Sequence, residues 1–279
     1  MGKFDRVLLA CDFDNTLVYT EPALVAGEPL PSLTAENREA LESFTAQGGH
    51  FAVATGRALA AMQAIAPGLP INTPCVLCNG AALYDFTRGE YLDCNLLDEA
   101  ALRRGQALLD DFPTLAVEAY HIGNVVHAVR PNEYVRRHEH LTHVGTEEKP
   151  SLLEVPLPLG KFIFEDDHAT LQAARRRMTE WGWDADYEIV FSRDNLLEVT
   201  AKGANKGGMV LRLAERLGIA RENVCCMGDE ANDLSMLRAA GHAFAPANGT
   251  DAVKAVSTVV SHAESRAVAD VVDLLDRLY

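Results

Sequence analysis

The stretch VLLACDFDNTL, residues 7–17, decides the fold prediction. It begins as an apolar run of strand length and ends in two aspartates, Asp12 and Asp14, which a single phenylalanine separates. A buried strand that ends in two negative charges either reaches the surface there or holds a group that offsets their repulsion. Because residues i and i+2 of an extended chain point to the same side, both carboxylates can flank one ligand.

The composition indicates a globular protein. The chain has 279 residues, of which 48% are hydrophobic and 23% are charged, and this is enough for one large domain or two smaller ones. The formal net charge of −15 argues against nucleic acid and anionic membrane surfaces as partners. A phosphorylated ligand would therefore need a local cluster of positive charge, or a metal ion, where it binds.

The chain is predicted to be cytoplasmic. No apolar run approaches the roughly 18–20 residues that span a bilayer, and the N-terminus lacks the pattern of a signal peptide. Six cysteines are then expected to be reduced thiols. Cys75 and Cys78 form a C-x-x-C pair, but no second pair completes a zinc site and no helix start follows to activate a thiol. We interpret both as small apolar residues of a buried strand.

Strands and helices alternate in both terminal parts of the chain. After RVLLAC, Thr34 is predicted to cap a helix over AENREALESFTAQ, and the strands HFAVA and PCVLC follow. The alternation returns after residue 203, where NVCCM and HAFAP are predicted strands between helices. Such a pattern predicts a parallel sheet with helices on both faces.

Neighbouring pairs of strands interrupt this alternation. ALYDFTRGEYLD is typical of a hairpin around Arg88 and Gly89, and further strand pairs are TLAVEAY with NVVHAV and DYEIVFS with NLLEVT. Adjacent strands separated by helices favour an α+β module with an antiparallel sheet. We therefore predict a discontinuous core domain, residues 1–83 and 191–279, with an inserted domain at 84–190.

Polar residues follow three strands of the predicted core. In open parallel sheets ligands bind beyond the carboxyl ends of the strands. Lys206 lies near the start of the helix that precedes the last of these strands. Clustered carboxylates repel one another unless a cation lies among them, and oxygen ligands favour a hard ion such as Mg²⁺. The residues concerned are Asp12 and Asp14, then Thr55, Gly56 and Arg57, then Gly228, Asp229, Asn232 and Asp233.

Each of these features alone has an ordinary structural explanation. D-x-D pairs are commonly solvated turn residues, a Thr-Gly pair after a strand is usually a turn, and GDEAND can form a helix-capping loop. Arg57 fits a surface salt bridge nearly as well as a phosphate contact. The joint occurrence of these features, in this order and at strand and helix ends, favours a functional site.

Four segments resemble the motifs of the haloacid dehalogenase superfamily of phosphatases. They are DFDNTL, the ATGR after the second strand, the lysine of ANKGG, and GDEANDLSML. The inserted module and the segment LCNGAALYD are similar to the Cof-type branch, subfamily IIB. The resemblance covers the whole chain. It implies an α/β fold, with a Rossmann-like parallel-sheet core and an inserted α+β cap domain of the C2B type that selects the substrate.

The resemblance also implies a role for each matching residue. Asp12 would be the nucleophile that forms an aspartyl-phosphate, and Asp14 the general acid and then the base. Lys206 would offset negative charge on the nucleophile and the phosphate. Mg²⁺ would be held by Asp12, the backbone carbonyl of Asp14 and Asp229, with Asp233 supporting these ligands. Phosphate and substrate contacts would come from Phe13, through its backbone N–H, Thr55, Gly56, Arg57 and Asn232.

Two positions depart from the family pattern. Asn15 stands where many relatives have glycine, and we expect it to adopt the left-handed backbone conformation that asparagine tolerates. Glu230 replaces a small residue, and we expect its carboxylate to point outward.

The histidines of the inserted domain suggest a metal site at first sight. His138, His140 and His143 lie close together in RRHEHLTHVG. On a helix His138 and His140 point about 200° apart, and only His140 and His143 share a face. We therefore do not predict that these three histidines bind a metal together.

The predicted function is a Mg²⁺-dependent phosphatase that acts on small phosphorylated metabolites. Sugar phosphates are the first expectation, before pyridoxal phosphate, nucleotides and phosphoglycolate. A phosphotransferase or phosphomutase could use the same aspartyl-phosphate. A non-catalytic phosphate-binding module is a third hypothesis. Asp14 favours hydrolysis, because P-type ATPase-like and halide-removing relatives lack a carboxylate at this position.

Overall fold

The structure is a computed structural model that describes residues 2–279. These residues form two compact units. The core unit comprises residues 2–56, Gln63–Asp93 and Asn205–Tyr279, and the inserted unit comprises Arg57–Met62 and Cys94–Ala204.

The strands are short and occur along the whole chain. In order they are β1 Leu8–Cys11, β2 His50–Val53, β3 Cys75–Leu77, β4 Ala82–Asp85, β5 Glu90–Cys94, β6 Ala116–His121, β7 Val125–Val129, β8 Glu147–Lys149, β9 Leu159–Glu165, β10 Tyr187–Arg193, β11 Leu196–Ala201, β12 Val224–Met227, β13 His242–Pro246 and β14 Thr258–Val260.

The helices lie between these strands. In order they are α1 Glu21–Ala26, α2 Ala35–Ala46, α3 Leu59–Met62, α4 Glu99–Asp111, α5 Glu133–Thr142, α6 His168–Glu180, α7 Lys206–Leu217, α8 Leu234–Ala239, α9 Asp251–Lys254 and α10 Ala267–Leu278. Thr34 accepts a hydrogen bond from the backbone N–H of Asn37, so the predicted cap of α2 is confirmed. No helix within residues 2–279 has both the length and the apolar character needed to cross a membrane.

A parallel sheet forms the centre of the core unit. Its strand order is β14-β13-β12-β1-β2, and every pair of neighbours is parallel. Leu8 and Ala10 of β1 belong to the same buried cluster as Met209 and Val210 of α7. Because side chains alternate along a strand, this parity directs the next even position, Asp12, towards the α7 side of the sheet. The predicted α/β fold of the core is confirmed.

A second, three-stranded sheet of order β3-β4-β5 follows β2 in the chain. Ala54, directly after β2, forms a parallel bridge with Val76 of β3, so β3 lies next to β2. β3 in turn pairs antiparallel with β4. Gly89 has a φ of 71°, which fits the predicted turn before β5. Cys75 of β3 is buried, as expected; Cys78 is also buried but directly follows the strand rather than belonging to it.

The inserted unit contains a six-stranded sheet of order β10-β11-β9-β6-β7-β8. All neighbouring pairs are antiparallel except β7 and β8. On one face, side chains such as Val117 and Phe162 join a large apolar core with Leu108 of α4 and Leu171 of α6. The opposite face carries buried polar side chains, which include Glu118, Lys161, Glu165 and Glu198.

The boundaries of the inserted unit differ from the predicted 84–190. The hairpin of β4 and β5 stays with the core unit, because it continues the sheet that begins at β3. At the other end, β10 and β11 pair with each other and β11 pairs with β9, so the unit extends to Ala204. A boundary at 190 would have cut β10. Strand pairing between distant segments determines both boundaries. The order of predicted strands and helices along the sequence does not show which distant strands pair.

Candidate active site

The carboxyl ends of three neighbouring strands bring the predicted core residues together. Cys11, the last residue of β1, is in register with Met227 of β12 and Val53 of β2. The backbone N–H of Asp12 donates to the carbonyl of Met227 at 2.9 Å, so β1 and β12 diverge only beyond this hydrogen bond. The segments that begin at Asp12 and Gly228 therefore leave the sheet at the same edge, where parallel α/β sheets bind ligands.

Lys206 joins two of the predicted carboxylates. Its Nζ lies 2.5 Å from Oδ1 of Asp12 and 2.6 Å from Oδ1 of Asp233, and all three side chains are buried. Burial alone would lower the pKa of Lys206, but Asp12 and Asp233 reverse this effect and raise it. The lysine therefore stays charged. It sits at the first position of α7, where Asn205 caps the helix.

Asp229 completes an acidic cluster with Asp12 and Asp233. Oxygen atoms of the three buried carboxylates lie within 4.8 Å of one another. Burial, with Lys206 opposing it, raises the pKa of Asp12 to about 7. Burial together with Asp12 and Asp233 raises the pKa of Asp229 to about 9. When all three groups are ionised, their negative charge exceeds that of the one ammonium group, and this all-oxygen donor set fits a hard divalent cation such as Mg²⁺.

The loop between Gly228 and Asp233 is tightly folded. The Oδ2 atom of Asp233 accepts the backbone N–H groups of Asp229 at 2.9 Å and Glu230 at 3.0 Å. A Cβ atom on Gly228 would lie 2.4 Å from the Cβ of Asp233, so glycine is required at this position. Asp233 thus fixes both Lys206 and the backbone of Asp229. The side chain of Glu230 is exposed, in agreement with the expected outward orientation.

Two threonine hydroxyl groups from the segment after β1 hold Asp14 and Asp229. Thr16 Oγ1 donates to Oδ1 of Asp229 at 2.7 Å, and Thr20 Oγ1 donates to Oδ1 of Asp14 at 2.7 Å. Asn15 has a φ of 55°, the predicted left-handed conformation. Neither Thr16 nor Thr20 is among the residues predicted from the sequence. Their signal was only that each lies within a few residues of an aspartate pair.

Asn79 connects the turn after β2 with the loop after β12. Its backbone N–H donates to the carbonyl of Thr55 at 3.1 Å, and its Oδ1 accepts from Nδ2 of Asn232 at 3.1 Å. A Cβ atom on Gly56 would lie 3.1 Å from the same Oδ1. Three of the predicted contact residues, Thr55, Gly56 and Asn232, therefore lie close together. Asn79, which was not predicted, links them. Asn79 belongs to the segment LCNGAALYD, whose similarity to the Cof-type branch is noted above, but the sequence does not predict a role for this residue.

Two further predicted contact residues lie in different surroundings. The side chain of Phe13 is buried, so only its backbone is suited to contact a ligand. Arg57 begins the short segment Arg57–Met62, which groups with the inserted unit rather than with the core. Its role in phosphate binding remains a prediction.

The fold and the site together define a class of protein. A parallel α/β core that gathers aspartates, a buried lysine and a threonine turn at one edge is typical of an enzyme built for an anionic substrate and a cation. A family model described as haloacid dehalogenase-like hydrolase matches residues 9–272. The chain belongs to this family, so the resemblance predicted from the four motifs is confirmed.

Two relatives that align with most of the chain are named as phosphatases. The chain is 27% identical over 278 residues to pyridoxal phosphate phosphatase YbhA of Escherichia coli, covering 91% of this chain and 92% of the relative. It is 26% identical over 259 residues to the 5-amino-6-(5-phospho-D-ribitylamino)uracil phosphatase YcsE of Bacillus subtilis, covering 92% and 90%. The chain is accordingly an enzyme of the phosphatase type.

A solved structure shows the same fold. A haloacid dehalogenase-like hydrolase from Bacteroides thetaiotaomicron superposes with a TM-score of 0.80 at 22% identity, covering 99% of this chain and 100% of that one. The subclass IIB sugar phosphatase BT4131 superposes with a TM-score of 0.80 at 20% identity, covering 97% and 99%. The predicted arrangement of a Rossmann-like core with an inserted α+β domain is confirmed.

Proposed function

We propose that the protein hydrolyses phosphate monoesters of small metabolites through an aspartyl-phosphate on Asp12, and that it requires Mg²⁺. The observation that carries the proposal is the environment of Asp12. Its carboxylate contacts a buried, charged lysine at 2.5 Å and lies within 4.8 Å of two further carboxylates. Asp14, the residue suited to proton transfer, stands two positions further along the chain.

Asp12 and Asp14 would divide the chemistry between them. A carboxylate oxygen of Asp12 attacks phosphorus while the bond from phosphorus to the ester oxygen breaks, and Asp14 gives its proton to the departing oxygen. Asp14 then takes a proton from water, which attacks the same phosphorus and releases phosphate and free Asp12. The hydrogen bond from Thr20 holds Asp14 in place for both steps.

Lys206 would stabilise the negative charge that Asp12 shares with the phosphoryl group. Its ammonium already contacts Asp12 and stays protonated, so it needs no rearrangement during the reaction. Thr55, Gly56 and Asn232, together with the backbone N–H groups of Phe13 and Asp14, would bind the phosphoryl oxygens. Arg57 would contribute a positive charge to the substrate.

The acidic cluster would hold the metal ion. Asp12, Asp229 and the backbone carbonyl of Asp14 are the proposed ligands. Asp233 orients Asp229 through its backbone, and Thr16 orients its carboxylate. A bound Mg²⁺ supplies positive charge that offsets the carboxylates and the phosphate.

The proposed substrates are small phosphorylated metabolites, with sugar phosphates first. The relatives are named for pyridoxal phosphate and for a phosphorylated ribitylaminouracil, and a structural neighbour is named a sugar phosphatase. We assign the choice among such substrates to the inserted unit, because the residues proposed for chemistry belong almost entirely to the core.

A screen of phosphorylated metabolites in labelled water tests the proposal. We expect phosphate release with sugar phosphates or related compounds, incorporation of ¹⁸O from water into that phosphate, loss of activity in EDTA and recovery with Mg²⁺. Full activity in EDTA would refute the metal requirement. Transfer of the phosphoryl group to an added alcohol, without ¹⁸O in released phosphate, would instead support a phosphotransferase.

A further inference from the structure

A second buried cluster of metal-ligating side chains lies within the inserted unit. It consists of Glu118 on β6, Glu165 on β9 and His138 on α5, whose ligand atoms lie within 4.8 Å of one another. Nδ1 of His138 is 2.9 Å from Oε2 of Glu118 and 3.2 Å from Oε1 of Glu165. Both glutamates are almost completely buried, and the side chain of His138 is 15% exposed.

The sheet register explains why the two glutamates meet. β6 and β9 are antiparallel neighbours in which Ala116 is opposite Glu165 and Glu118 is opposite Ile163. Glu118 and Glu165 are therefore diagonal neighbours on one face of the sheet, a separation of about 7–8 Å between their Cα atoms that long side chains can bridge. Their carboxylates converge because this face, unlike the opposite one, is not filled by the apolar core under α4 and α6.

Helix α5 places His138 over the same pair of strands. Asn132 caps the helix, and Val135 and His138, three residues apart, lie on one face of it. Asn132 donates to the backbone carbonyl of Glu165 at 2.8 Å, and Val135 packs with Ala116 and Ala128 of the sheet. These two contacts position the helix so that His138 meets the carboxylates.

Glu165 has bonding capacity that the protein does not use. Its side chain has no exposed surface, yet its Oε2 atom has no hydrogen-bond partner among residues 2–279. A buried carboxylate oxygen without a partner is costly, and such an atom calls for a ligand. Since the other oxygen of this carboxylate contacts His138, the unpartnered atom also borders the cluster.

The charges around the cluster favour a cation. On the same face, Nζ of Lys161 lies 2.6 Å from Oε2 of Glu198, and the two side chains form an ion pair. When Glu118 and Glu165 are both ionised, protonated His138 brings one positive charge to their two carboxylates. A divalent ion bound with neutral His138 would balance both carboxylates fully. The proton of Nδ1 passes to solvent as the ion binds.

We propose that Glu118, His138 and Glu165 bind a divalent transition-metal ion of the Zn²⁺ type, separate from the acidic cluster of the core. One imidazole nitrogen with two carboxylates is a donor set that suits Zn²⁺ or Mn²⁺ better than Mg²⁺, because imidazole is a softer ligand than oxygen. The ion tethers α5 to β6 and β9 and stabilises the inserted unit. This proposal stands independently of the proposed function.

Zinc retention by the full-length protein tests it. Protein stripped with EDTA is dialysed against Zn²⁺ in the presence of a large excess of Mg²⁺, which competes for the all-oxygen cluster of the core. We expect one zinc ion retained per chain and, in the zinc X-ray absorption spectrum, the scattering signature of an imidazole ligand. Absence of retained zinc, or a ligand shell of oxygen alone, would overturn the proposal.

Matched variants identify the ligands. H138Q and E165Q are expected to weaken zinc retention at least 10-fold, whereas H140Q and H143Q, which change exposed histidines at the end of the same helix, retain it. D229N, in the core cluster, also retains it. Zinc bound by H138Q as tightly as by the unaltered protein would refute the assignment. If H138Q does not fold, the absorption spectrum of the H140Q/H143Q double variant decides, since its imidazole signature must persist.

Discussion

The core unit and the inserted unit each bury a basic group between carboxylates, but they do so in different ways. In the core, Lys206 lies between Asp12 and Asp233, with Asp229 close by. In the inserted unit, His138 lies between Glu118 and Glu165. Lysine keeps its proton throughout the physiological range, whereas histidine can exchange its proton for a metal ion. The first cluster is therefore suited to hold a permanent charge beside a reacting group, and the second to bind an ion.

The largest difference between the two clusters is expected in catalysis. D12N removes the proposed nucleophile, so kcat should fall by about 10⁴-fold or more. E118Q changes a carboxylate that is equally buried, in the other cluster, and should leave kcat within about threefold of the unaltered enzyme. Phosphate release by both variants, with circular dichroism to check folding, measures this contrast.

A D12N variant with full phosphatase activity would remove Asp12 from the mechanism. A large loss of kcat in folded E118Q would instead show that the cluster of the inserted unit takes part in chemistry.

Stability should respond most strongly to loss of the lysine. K206M leaves two buried carboxylates, Asp12 and Asp233, without their basic partner, so we expect it to lower the free energy of unfolding by about 3–5 kcal/mol in metal-free protein near pH 8. The matched control is K202M, because Lys202 is exposed and its contacts are at the surface; its effect should be below about 1 kcal/mol. Urea unfolding of the two variants measures the difference, and equal effects would contradict the buried-pair interpretation.

These two clusters also differ in how far the sequence predicted them. Asp12, Lys206 and Asp229 were identified because each lies at a strand or helix end within a short recognisable segment, and parallel strands bring such ends to one edge. Glu118 lies inside β6 and Glu165 ends β9, and neither residue belongs to a segment that the sequence marks as a motif. Their meeting depends on the register of β6 and β9, and no local pattern encodes that register.

The boundaries of the inserted unit show the same limit. The hairpin at Arg88 and Gly89 was predicted correctly from its local turn residues. Its membership in the core, and that of β10 in the inserted sheet, depends on pairing with strands far away in the chain. Local patterns thus predicted the elements and the residues at their ends, while long-range pairing determined the units and the second cluster.

The histidine cluster should give stability that depends on pH. Burial alone would lower the pKa of His138, but Glu118 and Glu165 raise it to about 10. A raised pKa in the folded state means that protonated His138 stabilises the fold fully below its unfolded pKa of about 6.5. This contribution is lost as the pH rises through about 10. In metal-free protein H138Q should therefore cost on the order of 2 kcal/mol at pH 6 and less at pH 9.

Urea unfolding at both pH values, with H140Q as the control, measures this dependence. A cost of H138Q that is unchanged between pH 6 and pH 9 would mean that the charge of His138 does not stabilise the inserted unit. Lys206 should show no such decline over the same interval, because its pKa is raised from a value that is already high.

The smallest effects should come from the hydroxyl groups that orient one carboxylate in each cluster. Thr16 donates to Asp229 at 2.7 Å, and Tyr120 donates to Glu118 at 2.5 Å. T16V removes an orienting contact of a proposed Mg²⁺ ligand, so the Mg²⁺ concentration for half-maximal activity should rise by about 10-fold. Y120F removes the equivalent contact in the inserted unit and should leave Mg²⁺ activation unchanged while weakening zinc retention. If T16V and Y120F shifted Mg²⁺ activation alike, the two clusters would not be separate ion sites. Titration of activity with Mg²⁺ for both variants therefore tests the division of labour directly, because each substitution deletes a single oxygen and leaves every proposed ligand in place.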